Sequence, residues 1–178
     1  MKAVVLDMDE TLGAFTAFSA LVNQISPHLC TSALFDQLLD RNPQYLRPGI
    51  LHVLTFLRDN RKLGRCKIVL YTNNPNAHWV KFVKQYFESK VGGLFDWVIG
   101  AHDKKRTGLA KCVPDLLACT SLDKKTQFFF ADDQFHPGMA VPNVHYFQIT
   151  PYLQPCPEAF PNTQALLRQM VQFLQRPE

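Results

Sequence analysis

With 178 residues, 47% of them hydrophobic and 19% charged, the chain has the size and composition of one folded domain rather than a disordered polypeptide. The formal charge of +4 is spread over Arg58, Arg61, Lys62, Arg65 and Lys67, then Lys104, Lys105 and Arg106, then Lys124 and Lys125, which is too dilute for a nucleic-acid-binding arm. The five cysteines (Cys30, Cys66, Cys112, Cys119, Cys156) show no C-x-x-C and no Cys/His zinc spacing; no leader pattern or membrane-length apolar run is present either. These features lead us to expect an intracellular protein, cytoplasmic or nuclear, monomeric, with neither specific nucleic-acid binding nor a membrane partner.

Residues 3–7 (AVVLD) form a short continuous apolar run, the mark of a strand buried on both faces of a parallel sheet. Residues 13–47 follow with Pro27, Leu34, Leu38, Leu39 and Pro43, which suggests one or two short helices in a small flap or cap insert. In 49–58 (GILHVLTFLR), Ile50, Val53, Leu54 and Leu57 recur at helical spacing behind Pro48, and His52 is expected in the core or at its boundary. A second strand spans Cys66–Tyr71 (CKIVLY), and Asn74-Pro75 opens a helix with Asn74 as its expected N-cap.

Further strands are expected at Trp97–Gly100, Gln127–Ala131 and His145–Ile149, with a helix over 109–119 interrupted or restarted at Pro114. The triple Phe128-Phe129-Phe130 is expected to be buried strand. A Pro-rich connector, 151–161, leads to a C-terminal helix within 162–178. Strands alternating with helices predict an α/β class: a Rossmann-like parallel sheet flanked by helices, one domain over 1–178, with no large cap domain.

In open parallel sheets, ligands bind beyond the carboxyl ends of the strands. Strand one ends in Asp7-Met8-Asp9-Glu10-Thr11, strand two in Tyr71-Thr72-Asn73-Asn74, and strand four in Ala131-Asp132-Asp133-Gln134. Carboxylates gathered on one rim repel and raise one another's pKa, and a hard divalent cation with oxygen ligands, Mg²⁺, resolves that conflict.

At these residues the chain resembles the haloacid dehalogenase superfamily of phosphotransferases. The superfamily's D-x-D-x-T/V motif is matched by Asp7-Met8-Asp9-Glu10-Thr11, its second-motif hydroxyl by Thr72 and its acidic motif by Asp132-Asp133. The motif lysine is matched by Lys111, with Lys104 and Lys105 as rivals. "LDMDETLG" and "LRPGILHVLTFL" look like the branch of the small carboxy-terminal-domain phosphatases, which act on phosphoserine in proteins; where that branch has D-N-S-P, this chain has Asp132-Asp133-Gln134-Phe135.

The resemblance implies Mg²⁺-dependent hydrolysis of a phosphate monoester through an aspartyl-phosphate. Asp7 would be the nucleophile and Asp9 the general acid and base. Thr72, Asn73 and Lys111 would bind the phosphoryl group, and Asp7, the Asp9 carbonyl and one of Asp132 or Asp133 would hold the metal. Thr11 would buttress the loop, and His136 follows the acidic pair closely enough to line the site. The expected partner is a phosphorylated protein, because the insert is too short for a full lid; a small phosphate ester is the alternative. A receiver-type phosphoacceptor would carry its acid pair after strand one rather than strand four, and a binding module on a disabled scaffold would not retain candidates at every catalytic position.

Overall fold

Five apolar runs form the strands β1 (Lys2–Leu6), β2 (Lys67–Tyr71), β3 (Trp97–Ile99), β4 (Gln127–Asp132) and β5 (Val144–Gln148). A computed structural model describes residues 1–25 and 31–177 of the chain; Pro27 and Cys30 lie outside the described residues. All strand pairs are parallel and the sheet order is β3-β2-β1-β4-β5. The α-helices among the described residues are α1 (Phe15–Ile25), α2 (Ser32–Arg41), α3 (Ile50–Lys62), α4 (Ala77–Val91), α5 (Val113–Cys119) and α6 (Ala159–Gln175). The chain is thus α/β with a Rossmann-like sheet, and no helix among the described residues is long and apolar enough to cross a membrane.

Side-chain alternation along the strands builds two apolar layers. Val4, Leu6, Ile68, Leu70, Phe129 and Ala131 face the larger core, which α1, α2, α3, α4 and α6 cover. Ala3, Val5, Val69, Tyr71, Phe128 and Phe130 face the smaller one, closed by Leu116 of α5 and by Met139. Phe128, Phe129 and Phe130 are fully buried, as their run of apolar neighbours predicts; burying each ring contributes roughly 1.5–3 kcal/mol.

The 13–47 segment supplies α1 and α2. Phe18 meets Phe35 edge-on at 5.3 Å and Phe35 meets Trp79 of α4 at 4.9 Å, so the apolar faces of both helices are buried in the main core.

Several local expectations shift. His52 is exposed: at 100° per residue it lies on the far side of α3 from Ile50, Val53, Leu54 and Leu57. The helix expected over 109–119 is confined to Val113–Cys119, with Pro114 in its first turn and Lys111 in the loop ahead of it. The last helix starts at Ala159, inside the expected connector, because Pro161 in a first turn forfeits no helical hydrogen bond. Asn76, not Asn74, caps α4, its side chain accepting from the Trp79 N–H at 3.0 Å.

Candidate functional site

Sheet order decides where the site forms. The chain runs outward from β1 to β2 and β3, then crosses back to β4 on the other side of β1, so the strand order reverses between β1 and β4. A crevice opens at such a reversal. Leu6 is level with Ala131 and the Asp7 N–H donates to the Ala131 carbonyl at 3.0 Å, which brings Asp7 and Asp132 side by side. By alternation both point to the α5 side of the sheet, where the loop ahead of α5 brings Lys111.

Lys111 is buried, and its ammonium donates to Oδ1 of Asp7 and, at 2.6 Å, to Oδ2 of Asp132. Burial works to lower the Lys111 pKa, but the charges of Asp7 and Asp132 outweigh it and hold it above the ordinary lysine value. Lys104 and Lys105 are exposed. Of the three candidate lysines, only Lys111 reaches the acids among the described residues.

The other acids are crowded and desolvated. Burial, then repulsion from Asp7, pushes Asp132 up to about 7 against the opposing pull of Lys111, and burial with the same repulsion pushes Asp133 to about 6. Asp132 Oδ1 also accepts from the Gln134 N–H at 2.8 Å, while Thr11 and Asp133 exchange contacts of 3.2 Å between the Thr11 hydroxyl and the Asp133 carboxylate and N–H. Thr11 therefore buttresses the far acid.

One oxygen each from Asp7, Asp132 and Asp133 lies within 4.8 Å of the others, an all-oxygen donor set that could hold a hard divalent cation. The fit is chemical as well as geometric, since one ammonium cannot balance the carboxylates gathered around Asp7.

Asp9 stands apart from that cluster in character. Its Oδ2 accepts from the Asn74 amide at 3.0 Å, and its Oδ1 is buried with no hydrogen-bond partner. Burial raises its pKa to about 7, helped by the charges of Asp7 and Glu10 and opposed by the Asn74 bond. A proton on the carboxyl would relieve the desolvation, and one carried on Oδ1 would be committed to no acceptor within the protein.

The loop holding Asp9 is under local constraint. Glu10 has φ of 57°, a left-handed conformation uncommon for a non-glycine residue. Its N–H donates to the Gly13 carbonyl at 2.8 Å, and its own carbonyl accepts from Arg47 at 2.6 Å and from the Tyr152 N–H at 2.8 Å. Arg47, almost fully buried, also donates to the Thr11 carbonyl at 2.6 Å and to the Thr150 carbonyl at 2.7 Å. It is a clamp on the acid loop, a role the sequence reading did not assign to it.

Asn73 and Asn74 line the same cavity of about 260 Å³ as Asp7, Asp9, Lys111, Asp132, Asp133 and His136. Thr72 is buried and does not line it; its hydroxyl oxygen accepts from the Asn74 N–H at 3.0 Å, leaving its own hydrogen to donate. His136, expected near the site, lies with Nε2 at 3.3 Å from Asp132 Oδ2; burial first and the Lys111 charge second push its pKa down, favouring the neutral ring. Arg106, read in the sequence only as part of a basic run, links the ends of β2 and β3 to the Lys111 loop through the carbonyls of Thr72, Gly100 and Leu109. Comparison with protein-family models, curated proteins and solved structures yields no match, so the chemistry of this site rests on its residues.

Proposed function

We propose that the chain is a Mg²⁺-dependent phosphatase of the haloacid dehalogenase type, acting on phosphoserine or phosphothreonine in a protein. The observation that carries this reading is the contrast between two acids on one loop. Asp7 is paired with a buried cation, whereas Asp9, two residues on, has a raised pKa and an orphaned oxygen. One suits a nucleophile and the other a proton donor.

Asp7 attacks phosphorus in line, the bond to the leaving oxygen breaks, and Asp9 delivers its proton to that oxygen. Asp9, now a carboxylate, takes a proton from water, whose oxygen attacks the aspartyl-phosphate, releasing phosphate and restoring Asp7. Lys111 and the Asn73 amide hold the phosphoryl oxygens, while the buried Thr72 hydroxyl, expected to join them, fixes the turn by accepting from the Asn74 N–H. Bound to Asp7, to Asp132 or Asp133 and to the Asp9 carbonyl, Mg²⁺ would neutralise the repulsion between carboxylate and phosphoryl group.

A macromolecular substrate is supported by the 13–47 segment, which contributes only Thr16 to the cavity wall among the described residues while its helices are buried against the core. The test is turnover of p-nitrophenyl phosphate with Mg²⁺, with EDTA, and with Asp7→Asn. Both EDTA and the substitution should lower the rate on the order of 10³-fold or more; undiminished turnover by the Asn variant rejects Asp7 as nucleophile.

A further inference from the structure

Beside the acid site lies a second, larger cavity of about 480 Å³ between the start of α4 and the end of β3, with Ala77, Val80, Val98 and Ala101 among its walls. Asn74 and Pro75 line both cavities, so the two adjoin at one short lip. We propose that this groove receives an apolar side chain of the substrate polypeptide a few residues from the phosphorylated one, a role that rests on the phosphatase reading above.

The direction of the chemistry selects this side. A leaving-group oxygen must sit where Asp9 can protonate it, and the rest of the leaving group continues from that oxygen. Asp9 is bonded at 3.0 Å to Asn74, the residue that forms the lip. A polypeptide carrying the phosphorylated hydroxyl past Asp9 thus has a path over Asn74 and Pro75, which line both cavities, into apolar walls.

Charge at the rim agrees with a polypeptide of mixed character. Lys84 is engaged with Glu88, and Asp103 accepts from the Lys105 N–H at 3.0 Å. Lys81, also at the rim and exposed, makes no ion pair or hydrogen bond among the described residues, and it is placed to meet an acidic residue beyond the apolar one.

The experiment compares p-nitrophenyl phosphate with phosphoserine peptides that carry one leucine at each of three positions on either side, against an all-serine control, using wild type, Ala77→Trp, Ala101→Trp and Lys81→Glu. In wild type, one leucine position should raise kcat/KM about tenfold over the control, as one apolar side chain in a fitted pocket does. Either tryptophan, entering from opposite walls, should abolish that preference and leave p-nitrophenyl phosphate turnover within about twofold. Lys81→Glu should lower the rate on peptides with a glutamate beyond the leucine. Binding of the peptides to the Asp7→Asn variant, read by fluorescence anisotropy, should follow the same order.

Turnover of p-nitrophenyl phosphate with no leucine preference, or a preference that survives both tryptophans, overturns the groove assignment alone. Absence of turnover on every ester overturns the phosphatase reading and the groove assignment with it.

Discussion

Arg106 donates to the side-chain oxygen of Asn73 at 2.8 Å while its guanidinium lies 4.8 Å from the centre of the Tyr71 ring. With its oxygen so held, Asn73 offers the cavity an amide N–H₂, the polarity a phosphoryl oxygen needs. Lysine keeps the charge but not the planar fork. Arg106→Lys should lower kcat/KM for p-nitrophenyl phosphate about tenfold, chiefly through KM, and Asn73→Ala should match it. A double variant no worse than either single one is the expected result; additive losses would show that Arg106 does not act through Asn73.

Lys111 is the counter-ion of two buried acids. Lys111→Ala should destabilise the fold by about 3 kcal/mol or more, because it leaves carboxylates buried without their cation. It should also lower turnover on the order of 10²-fold. Lys104→Ala and Lys105→Ala, at exposed positions, should stay within about 0.5 kcal/mol of wild type. Urea denaturation and initial rates on the three variants check this together.

Asp96 governs part of the acid limb of stability. Burial works to raise its pKa, but the Arg61 bond at 3.0 Å, the Ile68 N–H at 2.9 Å and the charges of Arg61 and Lys67 overcome that and hold it below the usual carboxylate value. A depressed folded-state pKa contributes stability that is complete above the unfolded value, near 4, and disappears as pH falls through the folded one. Asp96→Asn should cost about 1–2 kcal/mol at pH 7. As pH falls through the depressed folded-state pKa the difference from wild type should shrink and disappear; a constant difference at every pH would exclude the charge as the cause.

Gly138 backs onto the segment that carries Lys111. A Cβ there would stand 2.5 Å from Cys112 Cβ and 2.9 Å from the Lys111 carbonyl oxygen, so backbone must move. Gly138→Ala should cost about 1–3 kcal/mol and reduce activity although the residue does not line the cavity. Retained activity and an unchanged denaturation midpoint would show that the loop yields without moving Lys111.

The strands were legible because a strand buried on both faces writes itself as an apolar run, and the acids at their ends could be placed on one rim from chain direction alone. Arg47 and Arg106 were not legible as clamps, since most of their partners are distant main-chain carbonyls: Thr150 lies 103 residues from Arg47 and Thr72 lies 34 from Arg106. Asn74 and Asn76 are chemically equivalent as caps, and only the three-residue reach from Asn76 to Trp79 selects between them. That choice releases Asn74 to bind Asp9. His52 is a different lesson, because its 200° offset from Ile50 on a helical wheel already placed it outward.

The contacts that define the acid site join residues far apart in the chain: Asp7 to Lys111 across 104 positions, Asp9 to Asn74 across 65, and Thr11 to Asp133 across 122. During synthesis the first strand leaves the ribosome with its acids unmatched, and Lys111 and the second acid pair follow only 104 and more positions later. Such long-range closure is slow relative to local helix formation. Site assembly therefore comes late in folding, and pairing of Lys111 with Asp7 and Asp132 marks completion of the sheet rather than its beginning.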